Sequence, residues 1–373
     1  MLLLGLTDNI RGPVFPQVLQ YFSVSDTVGA LSFAVASTFA FLSGLSCDFW
    51  IHRWGSVRTL RVAMGIMGLS QLVMGLAESY LIFLFGAVLL GCSFGLMGVI
   101  QNSLVVTESP AHLRNRLLSV LHSMYAGASL LAPLLVNAVI SINGAKSAWR
   151  WSFLVVAAFS FLLVILSFLE KRKSHDAQVH VAPQDVLQAP DFARRLYVAV
   201  MLSCYVGAEI LVSSRMTLFM TREYSMTVSE GNQLTAFFFL GLLLGRVAFS
   251  FWIPSWKLKN LLLSILSLSL ASLMFGLYVH PYGLALTGLM MSPFYPLMMS
   301  FIGSEFPRTL NKALALAVAF SSLFVVIMHT SVGWLTEQYG IRHALLAGPA
   351  FCLLPWGMLI LYEKIFRRVP APV

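Results

Sequence analysis

The stretch LYVAVMLSCYVGAEILVSSRMTL, residues 196–218, is almost unbroken in its apolar character, with Tyr205-Val206-Gly207-Ala208-Glu209 near its middle and Arg215 toward its far end. At about 1.5 Å of rise per residue a helix of this length covers roughly 30 Å, the thickness of a bilayer's hydrocarbon core. Glu209 then sits near mid-depth, where an ionised carboxylate costs several kcal/mol. On a helix its neighbours three and four positions away are Tyr205, Val206, Val212 and Ser213, none of them cationic. Arg215, six positions on, points elsewhere, so the helix alone does not neutralise Glu209. The carboxylate needs a partner from another helix or a proton.

The whole chain follows the same pattern. Hydrophobic residues make up 58% and charged residues 10% of the 373 positions, far from the roughly 25% charged residues of an average soluble domain. This is the composition of an integral membrane protein. Apolar runs long enough to span recur at residues 1–21, 28–50, 60–77, 80–106, 117–140 and 151–168, and again at 196–218, 235–253, 261–279, 283–302, 313–335 and 344–362. Asp8, Asn9 and Arg11 interrupt the first run, which is therefore expected to be a span and not a cleavable signal. The four cysteines, Cys47, Cys92, Cys204 and Cys352, lie in or at the ends of apolar runs without ligand spacing and read as small core residues.

The net charge of +9 is explained by topology. With the N-terminus inside, the inner connections and tail hold 17 of the 24 Lys and Arg residues and the outer connections only Lys146, Arg150, Arg222 and Arg342. The excess of positive charge predicts that both termini are cytoplasmic, in a membrane of the bacterial inner type. Arg11, Arg215 and Arg246 lie within spans. Arg215, close to the outer end, is expected to snorkel to the interface; for Arg246 a cross-helix pair and snorkelling are both open.

The polar segment 170–195 divides the chain into two halves, residues 1–169 and 196–373, the latter ending in a short cytoplasmic tail. An internal comparison supports a repeat: Thr107-Glu108-Ser109-Pro110 returns as Ser304-Glu305-Phe306-Pro307, and at the same offset Gly91 meets Gly288 and Gly44 meets Gly241. Asp8 and Glu209 occupy corresponding places in the first span of each half. The fold expected is all-α, with 12 transmembrane helices in two pseudo-symmetric six-helix bundles and a polar site between them, the architecture of an alternating-access transporter.

These residues resemble the major facilitator superfamily over essentially the whole chain. Gly44-Leu45-Ser46-Cys47-Asp48 with Arg53, Gly55 and Arg58 looks like a stretched form of its glycine-aspartate-arginine signature. The resemblance implies that Asp48, Arg53 and Arg58 pin cytoplasmic helix ends and bias the switch between states. Asp8 with Gly12-Pro13 and Pro16, Asn102, the Tyr205-to-Glu209 segment, Gly241 with Gly245-Arg246, and Ser292-Pro293-Phe294-Tyr295-Pro296 resemble the fucose/glucose-galactose proton symporter branch. There the first-span aspartate is implicated in proton handling, a role the resemblance carries to Asp8. Sugar transporters of that branch can place a glutamate in the fourth span, where this chain has Gly98, Gln101 and Asn102, so sugar specificity and the coupling ion stay open.

The expected function is proton-coupled symport of a small polar organic solute, a sugar being one candidate. A drug or metabolite:proton efflux antiporter is the alternative, and a receptor or scaffold without transport a minor one. Glu209 and Asp8 are the expected proton-coupling residues, with Arg11, Arg246, Asp48, Arg53 and Arg58 as gating or charge partners. Asp8 and Arg11, three apart, can equally form a purely structural pair. Gln101, Asn102, His122, Asn137, Tyr205 and Tyr295 are substrate-binding candidates, with packing or helix-to-helix bonding as the competing role; a packing role is favoured for His122 and more so for His329. Gly127 with Ala132-Pro133 lacks the Gly-Pro pair of drug antiporters. Without a nucleophile-base pair, metal-ligand set or phosphate loop, enzymatic activity, a cofactor and nucleic-acid binding are not expected. The partners expected are the solute, protons and lipid, and the chain is expected to work as a monomer.

Overall fold

The computed structural model describes residues 1–110, 114–169, 189–251, 256–306 and 309–366. Among these, sixteen helices and no strand are found. The first half holds α1 (Leu2–Asn9), α2 (Arg11–Phe22), α3 (Asp26–Leu45), α4 (Cys47–Trp54), α5 (Ser56–Leu76), α6 (Tyr80–Glu108), α7 (Arg114–Asn143) and α8 (Ala148–Leu169). The second holds α9 (Ala189–Glu223), α10 (Val228–Phe251), α11 (Leu258–Tyr278), α12 (Tyr282–Met291), α13 (Phe294–Glu305), α14 (Leu310–Tyr339), α15 (Ile341–Leu345) and α16 (Ala347–Phe366). Eleven helical segments among the described residues are long and apolar enough to cross a membrane. The first span is α1 with α2, divided at Ile10 into pieces each too short to cross alone.

The breaks have local causes. Pro13 and Pro16 cannot donate to the carbonyls one turn back, which weakens the ladder around the first break. Between α12 and α13, Pro293 leaves the Leu289 carbonyl without its helical donor, and the Ser292 hydroxyl donates to it at 2.8 Å. The Tyr205 hydroxyl, from α9, lies 2.7 Å from the Met291 carbonyl at the same break. Irregular backbone at membrane depth is thus supplied with donors by neighbouring side chains.

The helices pack by the same scheme twice. In the first half α3 packs on α6, α1 on α7 and α5 on α8; in the second α10 packs on α12, α9 on α14 and α11 on α16. The repeated glycines show why. A Cβ on Gly91 would come within 2.3 Å of the Ala36 carbonyl, and one on Gly288 within 2.0 Å of the Phe238 carbonyl. Only glycine allows these two equivalent crossings, so the sequence offset marks corresponding helix contacts.

Each half has its own core. One gathers Met67, Met74, Leu90, Trp149 and Phe153. The other gathers Phe219, Phe238, Phe294 and Met298, and takes in Phe15, Leu19 and Phe33 from the first half. Leu81, Ile142, Ile165, Leu268 and Leu354 are exposed on the outside, as lipid contact requires. The cysteines are free, with Cys47, Cys204 and Cys352 buried.

The halves meet through α3 with α14, α7 with α10 and α2 with α9. At the end of the bundle that carries Asp26 they are fastened. Arg222 Nη1 reaches Asp26 Oδ2 at 2.7 Å, the Thr27 amide donates to Glu337 Oε2 at 3.2 Å, and the Asn137 amide donates to the Ser229 carbonyl at 3.0 Å. Cavities lined by residues of both halves lie at the level of Asp8.

Two boundaries differ from expectation. α9 begins at Ala189, so Arg194 and Arg195, expected in the connection, belong to its first turns. Arg194 pairs with Glu305 and donates to the Tyr362 hydroxyl at 2.7 Å, which continues the helix past its apolar run. The rest of the expected linker, residues 170–188, and the expected tail from 367 lie outside the described residues. The second span, expected to run to residue 50, ends at Leu45, and the signature residues that follow it form the short helix α4.

Candidate functional site

Asp8 is the penultimate residue of α1, two before the break at Ile10, and Arg11 opens α2, so the interrupted helix brings the two together. Arg11 Nη2 pairs with Asp8 Oδ1, and its Nε donates to the Asp8 carbonyl at 3.3 Å. The Tyr125 hydroxyl, from α7, donates to Asp8 Oδ2 at 2.6 Å. Asn9 donates to the Ser129 hydroxyl at 2.9 Å, which fixes the end of α1 against α7. Tyr125 and Ser129 carry no charge, so the rule that singles out ionisable groups in a span passes over them.

Glu209 has the matching arrangement in the second half. Its Oε1 lies 3.3 Å from Arg246 Nη2, on α10, and its Oε2 lies 2.7 Å from the Tyr205 hydroxyl. Arg246 therefore pairs across helices and does not snorkel. The distance is long for a charge-assisted bond, which is usually about 2.7–2.9 Å, so the pair is loose. Tyr205 is fully buried, stacks on Phe294 at 4.3 Å between centroids, and has one proton to share between Glu209 and the Met291 carbonyl.

Both pairs face a cavity of about 260 Å³ between the halves, lined also by His122, Tyr295 and His329. A second cavity of about 220 Å³ adjoins it, sharing Asp8, Arg11, Tyr295 and His329 and adding Ser37, Phe94 and Ser321. Taken together, the two adjoining cavities lie in the range of ligand pockets, about 300–1,000 Å³.

Other expected site residues are not brought here. Asn102 donates to its own helix at the Gly98 carbonyl, 2.7 Å away, and neither it nor Gln101 lines these two cavities. Asn137, expected to meet solute, bonds the second half through Ser229 and accepts from Asn232 at 3.1 Å. Asp48 and Arg53 stand in the first and last turns of α4, each at the helix end whose dipole favours it, and five positions separate them onto opposite faces. Asp48, Arg53 and Arg58 are exposed, and among the described residues Asp48 has no ion-pair partner. Among the described residues no ion pair joins Asp48 to Arg53 or Arg58.

The role in the switch expected of Asp48, away from the solute, can be tested. Asp48→Asn is expected to slow turnover severalfold while the solute's Kd stays within about twofold, a difference of about 0.4 kcal/mol. Turnover in proteoliposomes beside equilibrium binding measures this, and lost binding in a folded variant would place Asp48 in the site.

One residue corrects the sequence reading. Arg215 does not snorkel: it is 1% exposed, and its guanidinium lies 4.3 Å from the Phe15 ring centroid and 4.7 Å from that of Phe33. Its Nη1 and Nη2 meet no hydrogen-bond partner among the described residues. His329, given a packing role, is 2% exposed, stacks on Phe33 at 4.8 Å and lines both cavities. Phe33 also lies under Arg11, at 4.9 Å. Cation–π attraction holds two arginines on one ring, which forms the floor between the cavity and the fastened Asp26 end.

The model of the Major Facilitator Superfamily matches residues 1–211. The chain belongs to that superfamily. It is 18% identical over 374 residues to the protein TsgA homolog of Buchnera aphidicola, covering 99% of this chain and 94% of the relative. Among solved structures, a D-xylose-proton symporter superposes with a TM-score of 0.80 at 17% identity, covering 99% of this chain and 95% of that one. The transporter FucP in its outward conformation superposes at 0.64 with 15% identity, covering 97% and 96%. These likenesses show the major facilitator fold, all-α with membrane-spanning helices.

Proposed function

We propose that this superfamily member is a secondary transporter that moves a small polar organic solute together with protons by alternating access. The observation that carries the reading is the pair of half-buried carboxylate–arginine–tyrosine sets, Asp8 with Arg11 and Tyr125, and Glu209 with Arg246 and Tyr205, one from each half and both facing one cavity. Carboxylates at this depth hold charge only with a partner, so proton uptake and partner exchange are linked. When Glu209 is ionised, Tyr205 donates to it. When Glu209 is protonated it can donate to Tyr205, which then turns its own proton to the Met291 carbonyl at the α12–α13 break. Protonation is thereby connected to the bent tenth span.

The two units that rock are assigned as residues 1–169 and 196–373. By the distribution of Lys and Arg the Asp26 end is the outer face. Solute added to proteoliposomes that contain the protein and a trapped pH-sensitive dye is expected to acidify the lumen. A transported solute that moves no protons would remove the coupling. The sugar symporters among the structural neighbours make sugars a natural part of the solute panel.

The orientation has its own test. Single cysteines at 171–195 are expected to resist an impermeant maleimide applied to intact cells, and cysteines at 143–149 and 222–229 to react. Labelling of 171–195 from outside would reverse the assignment.

A further inference from the structure

The cavity contains polar nitrogens without partners, two of them guanidinium donors. Arg11 Nη1, Arg246 Nε and His329 Nδ1 are each buried and meet no hydrogen-bond partner among the described residues. All three side chains line the same cavity. The carboxylates there are already engaged, Asp8 by Arg11 and Tyr125, Glu209 by Arg246 and Tyr205. An unmet buried polar group costs about 1–3 kcal/mol, and more when charged. What such a site lacks is acceptors. A sugar hydroxyl supplies a donor with each acceptor, whereas a carboxylate supplies two anionic acceptors in the geometry a guanidinium matches.

Resting on the transport reading above, we propose that the solute is a small organic anion whose carboxylate is bound between Arg11 and Arg246, with His329 as a third contact. The solute's carboxylate and the protein's own then compete for the same guanidinium groups. Protonating Asp8 or Glu209 releases its arginine to the solute, so a proton enters with each negative charge. The other titratable groups facing the pairs are His122 and Tyr125 from α7, Tyr205 from α9, Tyr295 from α13 and His329 from α14. Protonating either histidine also favours an anion, so the pH dependence is assigned by variants and not by its direction.

The test uses the full chain in proteoliposomes with D-gluconate and L-lactate as carboxylates, D-glucose and D-xylose as neutral solutes and choline as a cation. Counterflow and lumenal acidification are expected for at least one carboxylate and for none of the others. Arg246→Gln is expected to lower that carboxylate's uptake at least about tenfold, the loss of one hydrogen bond to a charged group, with partial recovery in Arg246→Lys. His329→Gln, whose melting temperature is checked alongside, weakens binding in the same direction. If a neutral sugar exchanges and the carboxylates do not, the anion assignment falls and the transport reading stands. If carboxylate uptake survives Arg246→Gln unchanged, the assignment falls as well. If no solute exchanges, both fall.

Discussion

Glu209→Gln is expected to abolish proton-driven accumulation while leaving counterflow exchange near that of the parent. The amide keeps the shape of a protonated carboxyl and its contact with Tyr205, but it cannot release a proton. Exchange needs no net proton movement and survives; uphill uptake falls at least about tenfold, equivalent to about 1.4 kcal/mol on the coupled step. A fixed structural bridge between Glu209 and Arg246 predicts otherwise. Breaking a sealed buried pair costs about 3–5 kcal/mol, with exchange and accumulation falling together. The two side chains keep 23% and 33% exposure toward the cavity and sit 3.3 Å apart. The stability loss is therefore expected nearer about 1 kcal/mol, as for a solvated pair. Counterflow, uphill uptake and melting temperature on this variant separate the two. Unimpaired uphill uptake would contradict both.

Gly333→Trp is expected to hold the Asp26 end open and stop transport. Gly333, on α14, faces α3 so closely that a Cβ would lie 2.5 Å from the Ala30 Cβ and 3.0 Å from the Asp26 carbonyl. An indole there separates the helices and with them the Arg222–Asp26 pair and the Thr27–Glu337 bond. Overpacking costs about 1–3 kcal/mol in the closed state, and states of such proteins differ by a few kcal/mol, so the population moves to the conformation in which α3 and α14 part. A cysteine at Ser214, now 8% exposed, should gain reactivity toward an impermeant maleimide from outside as uptake falls at least about tenfold, a shift of about 1.4 kcal/mol. Gly303→Trp serves as the control, because a Cβ at Gly303 meets nothing within 4 Å. Continued uptake with Ser214→Cys protected would show that the Asp26 end does not seal the cavity.

The residues behind these two expectations were unequally visible in the sequence. Glu209 stands out because a carboxylate in an apolar run has no local means of neutralisation. Its partner Arg246 was one candidate among several, since hydropathy says nothing of which helix lies beside α9. Gly333 gave no signal at all: a lone glycine in a span is marked only by what approaches it.

Composition determined that this chain lives in a membrane, its apolar runs gave the spans, its Lys and Arg gave an orientation, and its repeated glycines gave the register between halves. These are properties of single segments, or of segments compared with one another, and they follow from transfer energies and backbone sterics. Helix rotation and neighbour choice are different. In a bilayer the lipid-facing and core-facing sides of a helix are both apolar, so no period in the sequence distinguishes them. Tertiary packing therefore decided that Arg215 is clamped by Phe15 and Phe33 and does not reach the interface, that Asn137 fastens the two halves, that α4 holds Asp48 apart from Arg53, and that His329 joins Arg11 and Arg246 around one cavity. The physical reason is the same in each case: for a polar group in an apolar surround, the partner that satisfies it comes from a distant part of the chain.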